Sequence, residues 1–549
     1  MKKLFKSMFL LTMVAATSFA LTACNGGFKK VQRKELKTSL KDVRKSRGYK
    51  SDLASTGNVK ALVIPVEFVD YPCSSTKLAK YGGCEGIRDD IRRTMFGKSE
   101  ETNWESLSSF YRKSSYGKLN LTGKVTDWFR PTLSAAQLAM PMLDNPSDNT
   151  GVSDSILDQA IEWYRKTYDD IDDFDIDKDG YIDAVYLIYT VPSKTQIGKI
   201  DTSELFWAYT YWSNAHSDIN VDVDEVPVPY TYFWASIDFM YEDKMLNDEG
   251  EYVECKDENG DWLPDAHTFI HESGHIMGLP DYYSYGYNAD YGPLGGIDMM
   301  DNNVGDHNAY SKMLYGWTEP YYVTDSTTIT IKPFYSSGDF ILLNADWNGS
   351  MYDEYILLEY YVPKGLNKYD ADKKFAGAYP QVFQEPGVKV YHVDSRLGGF
   401  DIPSSNVLTE RGRFIEYVED VMNRYGYCDV ASDNTSDRSA FPEFKLIELL
   451  EPSGECTFDD RDEHGALVTP YATDESLFHV GDSFGYEGKA FENFRFNSGR
   501  TIVENDAGGL RILPVEEGGA AGDEVGFRFL IEKMDANGVT IKIEKIANN

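Results

Sequence analysis

The clearest chemical signature in the sequence is the segment HESGH at residues 271–275. His271 and His275 are one helical turn apart, so a helix would present both imidazoles on one face, where they can bind the same metal ion. Zn²⁺ bound in this way keeps a position open for water, and a carboxylate beside it can remove a proton from that water. The segment therefore predicts a zinc site at His271 and His275, with Glu272 as the general base for peptide-bond hydrolysis.

A third metal ligand is expected where this helix ends. Gly278 permits a left-handed turn, and Pro280 stiffens the chain after it. Asp281 can then turn back and offer a carboxylate oxygen, so it is the predicted third ligand. By spacing, Asp290 and Asp298 are the alternatives.

The segment HESGHIMGLPDYY, at residues 271–283, resembles the immune inhibitor A family of secreted bacterial zinc metallopeptidases, which are relatives of the metzincins. It differs from the usual metzincin in having Asp281 where the third histidine normally stands. The resemblance extends over roughly residues 59–394 and implies an enzyme that cleaves protein or peptide substrates. It is also carried by LVIPVEF (62–68), SSYGKL (114–119), AYSKMLYGW (309–317), YILLE (355–359) and YHVD (391–394).

The resemblance further implies a methionine-containing turn beneath the metal. The segment GGIDMMD, at residues 295–301, lies at a suitable distance downstream. Met300 is the predicted methionine of this turn, and Met299 is the alternative. Either side chain would pack beneath the ligands without binding the metal.

An acidic loop at residues 175–183, DIDKDGYID, is the second candidate metal site. Gly180 at its sixth position permits the sharp turn of a calcium loop. The twelfth position holds Tyr186 where an EF-hand has a glutamate, and a strand is expected where an EF-hand has its second helix. We predict a variant calcium loop that stiffens the domain, with a solvated acidic turn as the alternative. The predicted ligands are Asp175, Asp177, Asp179, Asp183 and the Tyr181 carbonyl.

The first residues indicate export and lipid attachment. Three lysines precede an apolar run from residue 8 to about residue 20, which suits a signal peptide and is short for a membrane-spanning helix. The run ends in LTAC, which resembles the lipobox of bacterial lipoproteins. Cys24 is therefore predicted to carry the lipid and to be the mature N-terminus. The protein is then expected outside the cytoplasm, anchored at the surface of the bacterial cell membrane.

A basic stretch follows the predicted lipid. Residues 25–50 carry ten Lys and Arg against two acidic residues. Such a stretch can lie along an anionic lipid surface, so we predict a tether. A segment that blocks the catalytic cleft is the alternative.

The cysteines that remain after Cys24 are five, so they cannot all pair with one another. Cys73 with Cys84, and Cys428 with Cys456, are close enough in sequence to close small loops. The sequence alone leaves the connectivity open.

The elements that must position these residues change in type along the chain. Up to about residue 320, buried strands such as 61–68 alternate with helical patterns, and the metal motif lies on a predicted helix at 266–277. After residue 319, short strands and turns predict an all-β region. The predicted class is α+β and multidomain: a metzincin-like α/β zinc-peptidase domain followed by an all-β, sandwich-like C-terminal region. The predicted parts are 1–23 (signal peptide), 24–57 (lipidated cysteine and basic linker), 58–320 (catalytic domain) and 321–549 (β-rich region).

Length and charge limit the possible functions. A chain of 549 residues, 42% of them hydrophobic, can form more than one core, and a net charge of -35 argues against binding nucleic acid.

The other histidines, His267 and His392 among them, are expected to pack or to face solvent, with His307 as the first exception to consider. The whole sequence predicts an extracytoplasmic zinc endopeptidase. The alternative is a catalytically inactive surface lipoprotein that binds a ligand or a cell-surface partner through its β-rich region.

Overall fold

The computed structural model describes residues 31–33, 39–46, 49–50, 52–140, 152–197, 200–201, 203–213, 226–241, 244–247, 249–285, 292–375, 379–400, 413–415, 427–435, 444–459, 468, 471–504 and 510–546. The structural statements below concern these residues. The predicted signal peptide and Cys24 lie outside them. Within the described ranges, none of the helices combines the length and the apolar character that crossing a membrane requires.

The helices and strands are numbered in chain order. The helices are α1 (Leu40–Ser46), α2 (Gly83–Phe96), α3 (Leu107–Ser114), α4 (Ala135–Leu138), α5 (Val152–Thr167), α6 (Ser203–Phe206), α7 (His267–Ile276), α8 (Met299–Asn302), α9 (Ala309–Leu314), α10 (Phe334–Ser337) and α11 (Asn367–Asp372). The strands are β1 (Val31–Arg33), β2 (Gly57–Val66), β3 (Leu119–Val125), β4 (Tyr181–Ile182), β5 (Val185–Tyr189), β6 (Gln196–Ile197), β7 (Ile200–Asp201), β8 (Tyr209–Trp212), β9 (Val228–Pro229), β10 (Thr231–Ser236), β11 (Lys244–Leu246), β12 (Tyr252–Glu254), β13 (Tyr321–Val323), β14 (Thr327–Ile331), β15 (Phe340–Leu343), β16 (Glu354–Tyr361), β17 (Gly387–Asp394), β18 (Leu397–Phe400), β19 (Arg413–Ile415), β20 (Tyr427–Val430), β21 (Ile447–Leu450), β22 (Ser483–Phe484), β23 (Ile502–Glu504), β24 (Leu510–Ile512), β25 (Phe527–Asp535) and β26 (Gly538–Lys545).

The first half of the chain is built around a five-stranded sheet in the order β3-β2-β5-β10-β8. The first four strands pair in parallel, and β8 runs antiparallel to β10 at the edge. Strand β2 contains a continuous apolar run because both faces of a parallel sheet are covered. Val63 faces the core that contains Ile270 of α7, whereas Ile64 faces the core that contains Leu157 of α5. The sheet therefore supports α7 on one face, and β8 is its edge strand within the described ranges.

The second half contains a six-stranded sheet, β1-β13-β15-β16-β17-β21, and a four-stranded sheet, β14-β26-β25-β22. Side chains along β16 alternate between two cores. Ile356 packs in the same core as Phe529 of the four-stranded sheet, whereas Leu357 packs in the same core as Ile270 of α7. The mixture of helices and several sheets agrees with the coarse α+β prediction. The core nevertheless continues across the predicted boundary at residue 320, because both faces of the six-stranded sheet are buried.

Two predictions about the halves of the chain need correction. The region after residue 320 is not all-β, because it contains the short helices α10 and α11.

The described parts of the basic segment are also packed, and so they are not a free tether. Strand β1 pairs with β13, and Arg33 forms an ion pair of 2.8 Å with Asp339. Helix α1 buries Arg44, whose Nε donates to Asp52 at 2.7 Å.

One of the two cysteine pairings left open by the sequence is present. Cys73 and Cys84 form a disulfide with their Cα atoms 4.8 Å apart. It joins the segment after β2 to the start of α2, next to the first sheet. The side chain of Cys428 lies outside the described part of the chain, so its pairing with Cys456 stays a prediction.

Candidate active site

Helix α7 presents the predicted zinc motif from the interior of the protein. It packs against β8 and β10, and every residue from His267 to Gly274 is buried. The chain after the helix passes through Gly278. Its backbone φ of +110° is one that residues other than glycine rarely adopt. A Cβ atom at Gly278 would also lie 2.6 Å from Cδ of Arg44 in α1. This turn brings Asp281 back towards the two histidines.

His271, His275 and Asp281 form a compact triangle of possible metal ligands. Asp281 Oδ1 lies 3.0 Å from His271 Nε2 and 3.1 Å from His275 Nε2, and the two Nε2 atoms are 3.1 Å apart. Ligand atoms about 2.0–2.1 Å from a tetrahedral zinc ion lie about 3.3 Å from one another. The triangle therefore fits three ligands of a zinc ion, with a fourth position left for water or substrate.

Hydrogen bonds behind the triangle fix the orientation of each group. His271 Nδ1 donates to the Met299 carbonyl and His275 Nδ1 donates to the Leu279 carbonyl, both at 2.7 Å. These bonds leave the Nε2 lone pairs free for a metal. The Tyr285 hydroxyl donates to Asp281 Oδ2, so that Oδ1 remains directed at the histidines.

The electrostatics of the triangle favour a cation. Burial raises the pKa of Asp281, but the charge of His275 and the hydrogen bonds from both histidines outweigh this and hold the pKa well below its usual range. Burial lowers the pKa of His275, whereas the neighbouring Asp281 raises it, with a net increase to about 9. An ionised carboxylate held beside two imidazoles attracts positive charge, which a bound metal ion would supply in place of a proton on His275.

Glu272 lies beside the triangle with one oxygen unused. Its side chain is buried, and Oε2 has no hydrogen-bond partner among the described residues. Burial raises the pKa of its carboxyl group. A buried acceptor without a partner costs free energy, so its presence next to a possible metal site points to a group that acts on water or substrate.

The methionine segment lies directly beneath the motif. A Cβ atom on Gly274 would be 2.5 Å from Met300 Sδ, so the sulfur packs against α7 between its two histidines. Met299 contributes its carbonyl to His271. Asp298, the alternative third ligand, instead caps the start of α8, where its Oδ1 accepts a hydrogen bond from the Met300 amide at 2.8 Å. The other alternative, Asp290, lies outside the described residues.

Two cavities open on either side of the triangle. A cavity of about 260 Å³ is lined by His275, Asp281 and residues of α1. A cavity of about 280 Å³ is lined by His271 and Glu272. Thr210 and Trp212 of edge strand β8 line the first cavity, and Ala208, the residue before β8, lines the second. An extended peptide could therefore add to the edge of the sheet and pass the triangle.

The acidic loop brings together some of its predicted ligands. Carboxylate oxygens of Asp175, Asp177 and Asp183 lie within 4.8 Å of one another. Burial and then the charge of Asp177 raise the pKa of Asp183 to about 7. Asp179 instead caps the Tyr181 amide at 2.9 Å, and Asp177 pairs with Lys41 of α1 at 3.0 Å.

His307 does not join either site. Its ring is buried against Phe110, Tyr111, Tyr315 and Trp317. Neither ring nitrogen has a hydrogen-bond partner among the described residues, and burial lowers its pKa well below the usual value. It is a packed side chain.

The sequence interpretation missed the role of His267. Its Nδ1 lies 2.9 Å from Asp265 and its Nε2 lies 3.1 Å from Asp370, and the imidazole stacks on Trp104. Burial lowers the pKa of His267, but the two aspartates raise it well above its usual value, which makes both nitrogens donors. His267 begins α7 one turn before His271, and this spacing was the signal available in the sequence.

Comparison with known proteins agrees with the resemblance. Residues 49–241 match the model of the immune inhibitor A peptidase M6 catalytic domain. The matched range contains the five-stranded sheet and ends before α7. No curated protein matches the chain. Residues 49–241, about a third of the chain, are therefore similar to the catalytic domain of the immune inhibitor A-like metallopeptidases, and this similarity indicates a peptidase, which implies protein or peptide substrates.

Proposed function

We propose that this peptidase is a zinc-dependent endopeptidase that acts outside the cytoplasm. The observation that carries the proposal is the triangle of His271, His275 and Asp281 beside the unpartnered oxygen of Glu272. Zn²⁺ bound by the triangle would acidify a water molecule and polarise the scissile carbonyl. The three side chains would hold the metal, and hydrogen bonds behind them would keep it in place.

Glu272 moves the proton in the proposed reaction. Its free Oε2 accepts a proton from the attacking water and then delivers it to the nitrogen of the leaving amine. Burial raises the pKa of this carboxyl group, and a carboxylate with a raised pKa accepts a proton more readily. Strand β8 aligns the substrate, because an edge strand offers unpaired amide and carbonyl groups to an extended peptide.

The test is to purify the chain from residue 25 onward, measure its zinc content, and follow cleavage of unfolded casein. One zinc per chain with cleavage that a chelator abolishes and zinc restores supports the proposal. A folded protein that binds no zinc contradicts it and favours the inactive surface lipoprotein. The buried, unpartnered Glu272 oxygen argues against that alternative, because a scaffold without catalytic function gains nothing from its cost.

The substitution Tyr285→Phe tests the support of the third ligand. Removing the hydroxyl takes away one hydrogen bond from Asp281 Oδ2, so the carboxylate is held less firmly beside the histidines. We expect zinc affinity to fall by about 10–100-fold, as for other groups that orient a ligand. Competition with a fluorescent chelator measures it. The matched control is Tyr252→Phe on the exposed hairpin β11–β12, and equal affinity in all three proteins would contradict the role of Tyr285.

We propose further that the acidic loop binds Ca²⁺ through Asp175, Asp177 and Asp183. Asp175 and Asp183 are buried, which argues against a solvated turn, and their mutual repulsion calls for a cation. Calcium at about 100 times its Kd should stabilise the fold by about 2.7 kcal/mol. Calorimetry should therefore show a Tm that rises with calcium in the wild type but not in Asp177→Asn. A Tm that magnesium raises equally would indicate a general effect of cations.

The proposed location rests on the sequence. A lipid on Cys24 would place the catalytic body outside the membrane, tethered by the residues that precede β1. Incorporation of labelled fatty acid into the wild type, but not into Cys24→Ser, is the expected result in cells that express the full chain. Equal labelling of both proteins would exclude Cys24 as the lipid site.

A further inference from the structure

The cavity beside His271 and Glu272 contains a third carboxylate, from Asp301. Its lining combines aromatic side chains with the polar residues Asp301, Asn302 and Asn303. We call it the Asp301 cavity. The aromatic residues that line it are Trp207, Phe239, Tyr283 and Tyr379.

Asp301 is buried without a cationic partner. It is 3% exposed, and it accepts hydrogen bonds from the Gly296 amide at 2.9 Å and from Asn302 Nδ2 at 3.2 Å. Both donors are neutral. Among the described groups that act on it most, Asp298 and Asp281 raise its pKa, His271 lowers it, and none is a Lys or Arg. Burial is the main cause that raises its pKa to about 7.

The one lysine among the cavity's lining residues does not neutralise Asp301. Lys194 is exposed, and its ammonium lies 5.1 Å from the centre of the Trp207 ring. Trp207 is itself 42% exposed, which places this contact at the mouth of the cavity. Solvent screens a charge at that position, whereas a charge inside the cavity would be screened much less.

We propose that the Asp301 cavity receives the side chain of a substrate lysine or arginine next to the scissile bond. The aliphatic stem would pack against the aromatic walls, and the cationic end would pair with Asp301. The side-chain carbonyls of Asn302 and Asn303, which also line the cavity, can accept further hydrogen bonds from the cation. This inference rests on the proposed peptidase function and adds a substrate class to it.

The test uses quenched peptides that carry lysine, norleucine, glutamine or glutamate on either side of one cleavable bond. The proteins are the chain from residue 25 onward, Asp301→Asn, and Asp346→Asn on the surface of the second half as the control. We expect lysine to exceed norleucine by at least about tenfold in kcat/KM at one of the two positions, because a buried charge pair is lost with norleucine. Asp301→Asn should bring the two peptides to near equality. Asp346→Asn should keep the preference.

A wild type that prefers norleucine or glutamate at both positions overturns the inference, even if Asp301→Asn does not fold. So does an Asp301→Asn variant that keeps the lysine preference. Calorimetric binding of the lysine and norleucine peptides to Glu272→Ala separates this inference from the proposed function. Lysine-selective binding that requires Asp301, without cleavage by the wild type, supports the cavity and contradicts the peptidase reaction. Cleavage that requires Glu272 but does not favour lysine over norleucine supports the peptidase reaction and contradicts the role of the cavity.

Discussion

Glu272→Gln should remove nearly all peptidase activity while leaving the zinc content unchanged. The amide keeps the size of the side chain but cannot accept the proton of water, so kcat should fall by about 10²–10⁴-fold, as for loss of a positioned general base. The ligand triangle should survive, because Glu272 does not belong to it. The measurement pairs cleavage of unfolded casein with zinc determination on the same preparation.

The control for this variant is Glu162→Gln, on the exposed surface of α5. It removes one carboxylate far along the chain from the motif and should keep full activity. Loss of zinc together with activity in Glu272→Gln would mean that the glutamate supports the site and is not the base. Activity close to that of the wild type would contradict the proposed mechanism.

The centre of the site could be predicted because its determinants are local in sequence. His271 and His275 share a helix face by their spacing, and Gly278 permits the turn that returns Asp281. Buried strands in the first half were also expected, since residues 61–68 form a continuous apolar run. These features depend on neighbours within a few residues, which a single sequence displays.

The contacts that the sequence did not reveal join distant parts of the chain. The basic segment suggested a tether because its ten Lys and Arg can lie along an anionic lipid surface. In the structure β1 extends the six-stranded sheet, and Arg33 pairs with Asp339, which lies 306 residues away. Arg44 packs over the ring of Tyr49 at 4.0 Å, beside the cavity that contains His275. Composition cannot identify partners at such separations.

His267 shows how such a contact supports the site. The ring is fully buried between Asp265, two residues before it, and Asp370 of α11, which lies 103 residues further along. The amide of Gly305, which lies between α8 and α9, donates to the other oxygen of Asp370 at 2.7 Å. The pair therefore fixes the start of α7 to the second half of the chain, one turn from the zinc ligands.

His267→Gln should destabilise the protein by about 3–5 kcal/mol, because it leaves two buried carboxylates without their cation. Chemical unfolding measures this loss, and His479→Gln, at a partly exposed histidine, is the control. The raised pKa of His267 sets the sign of the pH dependence. Its contribution is fully present below about pH 6.5, the unfolded value, and is lost as the pH rises through the raised folded value. The difference between wild type and variant should therefore be largest near pH 6 and decrease in alkali.

The double variant His267→Gln with Asp370→Asn separates loss of charge pairing from loss of packing. Removing one of the stranded carboxylates should restore part of the stability, whereas a packing defect would deepen with the second substitution. Zinc affinity should follow stability in the two variants, because α7 begins at His267 and carries both histidine ligands. A single variant that unfolds like the wild type at pH 6 would show that the buried histidine is neutral and that its two aspartates share the proton instead.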